Sequence, residues 1–325
     1  MEWRNASLNA RQQYIAGQMQ IDHPDFVRAA MEIKRRASRC EIEGAGAGIL
    51  VLAPSGAGKT HLCRFLKAQW PDHIVGSSTN IPVIKFDIPS RPSDRAMGRA
   101  LLISIGDPLW NSGTAMELML RIQHLIPRIG TRIILIDNVQ DIPDQRREIG
   151  IRQIGNWLRT LIEVSKCLVV LLGTPSAAKI IYANSQLKRR TVKQLHLDYF
   201  HFDSERERKT FVRFVQSIWT KLPIAERDEE IDPDLIAEIH YATFGIPDYI
   251  FQLFIESIGL MHQDGRERLT REDFARAFPV IHKDAVSKAL NPFLPNGPKR
   301  PLTEEFEPFA NWFDTSNPPL RAQRG

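Results

Sequence analysis

The stretch that most restricts how this chain can fold is Ala53-Pro54-Ser55-Gly56-Ala57-Gly58-Lys59-Thr60, which follows the run Gly48-Ile49-Leu50-Val51-Leu52. A short apolar run ending in a glycine-rich turn reads as a buried strand. The residues from His61 to Trp70 read as the helix after it. A strand–loop–helix unit with this sequence nearly matches the phosphate-binding pattern G-x-x-x-x-G-K-[ST]. Its glycines let backbone N–H groups turn toward phosphate oxygens, its lysine adds charge, and its hydroxyl residue suits Mg²⁺. One position departs, because Ala53 stands where the first glycine belongs. Alanine there matters only if the backbone needs a positive φ. Pro54, Ser55, Gly56, Ala57, Gly58, Lys59, Thr60 and His61 are the expected binding element for a nucleoside triphosphate.

Beyond the loop, strand and helix patterns alternate. The strands are GILVL (48–52), IPVIKFDI (81–88), RIILID (132–137), CLVVLLG (167–173) and TVKQLHL (191–197). Helices are expected near 93–105, 114–127 and 144–165. Near-continuous apolar strands separated by helices predict an α/β fold, a parallel sheet covered on both faces. A helix opens at Asp22-His23-Pro24-Asp25 and runs to about Arg39, with proline and acids placed for a helix start. After Asp203 the segments 204–221, 232–243, 247–262 and 270–278 read as helices with no strand between them, a small all-α domain. The expected organisation is an N-terminal extension at 1–20, a P-loop core at 21–203, a helical lid at 204–285 and a Pro-rich tail at 286–325. Seven of the 35 residues from Asn291 on are proline, and periodicity is lost, so disorder is expected there. Within the tail, EFEPFANWF (305–313) reads either as a strap on the domain surface or as a docking motif.

Bulk properties narrow the class. Lys and Arg number 43 against 38 Asp and Glu, an excess that permits a polyanionic partner without requiring one. No apolar run approaches the ~20 residues of a membrane span, and the first residues lack the order of a secretory signal. A cytoplasmic protein is expected. Cys40, Cys63 and Cys167 are widely spaced and read as reduced, small apolar residues rather than metal ligands.

A P-loop needs a second element, an apolar strand ending in an acid near the metal. Ile133-Ile134-Leu135-Ile136-Asp137 fits, so Thr60 and Asp137 are the expected Mg²⁺ ligands. The next position often carries a glutamate that polarises the attacking water. Here it is Asn138, and a neutral amide cannot accept a proton as a base. Gln140 and Asp141 lie close by, and a glutamine can orient water. Thr174, at the tip of the CLVVLLG strand, is the expected γ-phosphate sensor; it is equally suited to cap a helix before Pro175.

Taken in order, the HPDF helix opening, LAPSGAGKT, ILIDNVQDI, LLGTPSA and QLKRRTVKQLHLDYF resemble the AAA+ ATPases, and within them the TniB/TnsC family of transposition ATPases. The resemblance spans roughly residues 14–280. It implies a regulator that binds ATP with Mg²⁺ and assembles as a homo-oligomeric ring or filament on double-stranded DNA. Such a regulator links a target-selection protein, RNA-guided in some systems, to a transposase. Turnover then takes the assembly apart, a role that tolerates weak hydrolysis. It also implies an arginine acting on a neighbour's nucleotide, and Arg189 or Arg190 holds that place. A lid arginine is implied near Gly245-Ile246-Pro247, where this chain has Asp248.

A sequence-tolerant DNA clamp needs cations and N–H groups along phosphates rather than base-reading side chains. PSRPSDRAMGR (89–99) offers Arg91, Arg95 and Arg99, and Thr114 opens the next helix. The resemblance turns this region toward DNA; on the residues alone it also reads as an exposed, charged helix. Two other functions fit the core motifs. A replication initiator or helicase loader calls for an origin-reading DNA domain, and no helix-turn-helix follows the lid. A signalling switch ATPase calls for a large sensor domain, which is also missing from the pattern.

Overall fold

The computed structural model describes residues 3–15, 19, 23–75, 78–142, 148–283 and 285–310. The short helix α1 (Leu8–Gln13) precedes the long α2 (Pro24–Glu43). Then follow β1 (Ala47–Leu52), α3 (Lys59–Gln69), a small hairpin of β2 (His73–Val75) and β3 (Ser78–Asn80), and β4 (Val83–Asp87). Next come α4 (Asp94–Ser104), α5 (Ala115–Arg128), β5 (Ile133–Asp137), α6 (Glu148–Ser165) and β6 (Leu168–Gly173). α7 (Ala178–Tyr182) and α8 (Ser185–Arg190) lead to β7 (Thr191–His196). The last helices are α9 (Glu205–Lys221), α10 (Pro233–Thr243), α11 (Pro247–Gln263) and α12 (Arg271–Ile281). Asp22, residues 143–147 at the expected start of α6, and Trp312 and Phe313 of the tail motif lie outside the described residues.

The main sheet has the order β4-β5-β6-β1-β7 and is parallel throughout. Each strand sends alternate residues to opposite faces. Ile49, Val51, Val83, Leu135 and Val170 pack with Ile33 of α2 and Leu62 and Leu66 of α3. Leu50, Ile84, Phe86, Ile136 and Leu171 pack with Leu101, Ile122 and Leu158 of α4, α5 and α6. Burying both faces explains why the strands read as continuous apolar runs. Each such side chain contributes roughly 1.5–3 kcal/mol, and Leu135→Ala, in β5 between β4 and β6, is a change that would open a cavity there. The register places Asp87 beside Asp137 at the carboxyl ends of β4 and β5, the end of an α/β sheet where ligands bind.

By packing, the described chain forms two compact units. One is Pro24–Asp198; the other joins the residues up to His23 with those from Tyr199 on. The second is the helical lid region, built around Phe211, Phe254, Phe274 and Phe278. The N-terminal segment is part of it through Arg11, which is fully buried. Its guanidinium donates to both Glu267 oxygens at 2.7 and 2.9 Å and to the carbonyls of Trp3, Ala6 and Pro223. The stretch after Asn291, expected from its prolines to be disordered, is packed as far as residue 310. Phe293, Leu302 and Phe309 are buried in the helical unit. Lys299 pairs with the buried Glu238 at 2.6 Å, and Arg300 with both Glu307 oxygens. Three apolar anchors without a helix or strand period suffice to order the segment, and a reading based on period misses them. Among the described residues no helix is long and apolar enough to cross a membrane.

Candidate nucleotide site

The loop between β1 and α3 takes its shape from two glycines, Gly56 at φ 72° and Gly58 at φ 98°. Ala53 is not among the residues with positive φ; it is fully buried and its N–H donates to the Gly173 carbonyl at 2.9 Å. Its β-carbon therefore strains nothing, and the missing glycine leaves the loop intact. Gly58 caps α3 without a side-chain bond. The first-turn N–H groups of Lys59, Thr60 and His61 have no intrahelical acceptors, the arrangement that receives phosphate oxygens. The His61 ring packs against Phe26 of α2, with centroids 5.0 Å apart, and burial and then Arg64 hold its pKa down.

Lys59 donates to the carbonyls of Ala53 at 2.7 Å and Pro54 at 3.0 Å. Burial pushes its pKa down to about 8, while the field of Asp137 supports the charge. Asp137 is itself buried and accepts from the Asn138 N–H at 2.9 Å. Thr60 lies exposed on the first turn of α3. A hydroxyl and a carboxylate are hard oxygen donors that suit Mg²⁺. Among the described residues no group of three or more His, Cys, Asp or Glu could hold a metal by itself. Were Mg²⁺ bound there, phosphate oxygens and water would supply its remaining ligands. In that place the ion would neutralise charge on the transferring phosphoryl group.

Asn138 adopts φ 58°, the left-handed region that asparagine tolerates and glutamate disfavours. A chain of polar contacts leads away from it. Gln140 donates to the Asn138 side-chain oxygen at 3.3 Å and accepts from the Thr174 N–H at 3.2 Å. The Thr174 hydroxyl lies 3.1 Å from that of Ser176. Thr174 occupies the cap position of the short turn Pro175–Ala177, but its side chain makes no capping bond. A β-carbon on Gly173 would lie 2.9 Å from the Gln140 side-chain oxygen and 2.6 Å from Ala177, so glycine is what lets this bridge form.

The expected arginines differ in their engagements. Arg190 pairs with Glu163 of α6 at 3.1 Å; Arg189 is exposed beside it on α8. Arg91 and Arg95 are exposed at the start of α4, whose first turn Ser93 caps. Arg99 donates to the Asn111 carbonyl at 3.2 Å. Thr114 closes a capping box with Glu117, which engages both its hydroxyl and its N–H. Asp248, at the start of α11, accepts from Gln252. All three cysteines are buried and free; burial, with Asp137 adding to it, pushes Cys63 up to about 12.

The sequence reading overlooked Lys85. Its ammonium lies 2.7 Å from Asp87 and 3.4 Å from Asp137. Burial opposes its charge, yet the hydrogen bond to Asp87 and the field of Asp137 leave its pKa raised. A lysine and an aspartate two apart in an otherwise apolar strand, on the face that carries the P-loop helix, were the available signal.

The sheet order, the loop and the acid-tipped β5 define a P-loop ATPase of the AAA+ class, an ATP-binding and hydrolysing domain followed by a helical lid region. Residues 11–201 match the family described as "TniB: Bacterial TniB protein", and the chain belongs to that family. No curated protein matches significantly. Among solved structures, the ORC2 protein of Aeropyrum pernix in its ADPNP-ADP complexes aligns with a TM-score of 0.60 at 13% identity, covering 85% of this chain and 73% of that one. The Aeropyrum pernix ORC1 protein in complex with DNA gives 0.58 at 16%, covering 86% and 72%. Drosophila ORC bound to DNA gives 0.53 at 12%, covering 87% and 67%. At these identities the likeness is one of fold.

Proposed function

We propose that the protein is an ATP-dependent regulator of DNA transposition. It assembles on double-stranded target DNA as a homo-oligomer, connects a target-selection protein to the transposase, and uses slow hydrolysis to come apart. The observation that carries this reading is the TniB match across the whole P-loop core. The chemistry is consistent with it. Lys59 and the first-turn N–H groups of α3 bind the phosphates, and Thr60 and Asp137 hold Mg²⁺. Thr174 senses the γ-phosphate through the Gln140 bridge. Asn138 offers no base, so hydrolysis is slow and acts as a timer. Of Arg189 and Arg190, we favour Arg189 as the arginine that acts on a neighbour's nucleotide, because Arg190 engages Glu163. Arg91 and Arg95 contact DNA phosphates; Arg99 and Thr114, engaged internally, contribute less.

A second reading has its own support. The three solved structures named above are ORC proteins, two of them bound to DNA, which favours a replication initiator or helicase loader. The readings part on sequence preference. The test is negative-stain imaging with phosphate release, using full-length protein with Mg-ATP, with and without duplex DNA of random and defined sequence. Rings or filaments that need ATP and DNA but no particular sequence support the transposition scaffold. The double variant Arg91→Glu, Arg95→Glu should then abolish the DNA stimulation. A preference for one sequence of ~10³-fold or more moves the assignment to an initiator. Assembly equally good without DNA leaves a protein-only switch.

A further inference from the structure

We infer that Lys85 is a built-in competitor for the Mg²⁺ site, and that Asp87 is the anchor that draws it off. The inference rests on the ATPase reading of the P-loop and is independent of the role in transposition.

The geometry begins with strand parity. Val83, Ile133 and Leu135 face α2 and α3, so Lys85, Asp87 and Asp137 share that face. Register sets Asp87 directly beside Asp137. The Lys85 ammonium stands between the two carboxylates, closer to Asp87 Oδ1 at 2.7 Å than to Asp137 Oδ2 at 3.4 Å. Asp137 Oδ1 accepts from the Asn138 N–H. The other oxygen, Oδ2, is the one Lys85 faces.

An ammonium 3.4 Å from Asp137 would repel a second cation held by the same carboxylate. Mg²⁺ held by Asp137 would therefore favour the ammonium's contact with Asp87. Asp87 gives it somewhere to go, because its side chain is 56% exposed and that of Asp137 only 8%. Lys85 thus raises the Mg²⁺ concentration needed for nucleotide binding, and Asp87 moderates that effect. Lys85 is a positioning residue in this account, since it acts through Asp137. The two side chains make opposite predictions for the Mg²⁺ midpoint.

The test is a Mg²⁺ titration of fluorescent ATP-analogue binding to full-length protein without DNA, which needs no turnover. Lys85→Met should lower the Mg²⁺ midpoint on the order of threefold to tenfold, the scale of one half-buried ion pair. Asp87→Asn should raise it, because the ammonium then rests on Asp137 alone. Binding in excess EDTA should be unchanged in both. An unchanged or raised midpoint in Lys85→Met overturns the inference, as does weaker binding at every Mg²⁺ concentration, which would make Lys85 a phosphate ligand. A lowered midpoint in Asp87→Asn also overturns it. Wild-type protein that binds no nucleotide at any Mg²⁺ concentration would instead defeat the ATPase reading beneath it.

Discussion

Holding the charge of Lys59 in its buried position costs the fold free energy, and this can be measured. Burial takes its pKa from 10.5 to about 8, which corresponds to a penalty of about 3 kcal/mol for holding the charge in the folded state. Two hydrogen bonds, to Ala53 and Pro54, return about 1 kcal/mol each. Lys59→Met removes the penalty and both bonds and keeps the length of the side chain. The expected net effect is a stabilisation of about 1 kcal/mol at pH 7, or about 3 °C for a unit of this size. The pH dependence fixes the sign. Below about pH 8 the lysine is charged in both folded and unfolded chains, so the penalty is complete. Between about 8 and 10.5 the folded chain releases the proton first, and the penalty fades. The advantage of Lys59→Met should therefore shrink as pH rises through this window. Thermal melts of both proteins from pH 7 to 10, without nucleotide, read this directly. With Mg-ATP at a hundred times its Kd the order should invert, since the wild type gains about 2.7 kcal/mol and the variant nothing. A variant that melts below wild type at pH 7, or a difference flat across the pH range, refutes the reasoning.

Three further outcomes follow from the same geometry. Ala53→Gly, which restores the usual loop glycine, should leave ATP affinity unchanged in equilibrium binding and lower stability by roughly 0.5–1 kcal/mol, because Ala53 needs no positive φ and only backbone entropy changes. Asn138→Glu should raise single-turnover hydrolysis at least about tenfold by supplying a base. It should also lower the melting temperature, because glutamate in the left-handed region costs about 1 kcal/mol more than asparagine; intact nucleotide binding with unchanged hydrolysis would show that the missing base is not what slows the site. Arg11→Ala should destabilise the helical unit by about 3 kcal/mol in urea titration, as expected for one partner taken from a buried pair, with ATP binding to the P-loop unaffected.

How much of this was legible in the sequence depended on how local the cause was. The parallel sheet could be read because both its faces are buried, which prints the strands as apolar runs such as Ile133 to Ile136. The P-loop could be read because its chemistry lies within eight residues. Arg11 could not be, since its role is fixed by Glu267, 256 residues away. Phe293, Leu302 and Phe309 were hidden for a related reason. A segment ordered by three separate anchors on another element carries no period of its own, and its prolines then read as disorder. The hairpin at His73–Asn80 was missed because its two strands have only three residues each, too few to establish an alternation.

Asn138 shows how position and chemistry combine at the site. Read from sequence alone, it is a lost base. In the structure its backbone lies at φ 58°, and only a few residue types hold that conformation at low cost. The same turn lets Gln140 reach both Asn138 and Thr174, and Gly173 leaves room for it. A residue with a β-carbon at 173 would crowd this bridge. The neutral amide is thus one end of a polar chain that joins the tips of β5 and β6. In the proposed reading, a site without a base at 138 holds ATP longer than it cleaves it, which suits a protein that uses ATP to stay assembled.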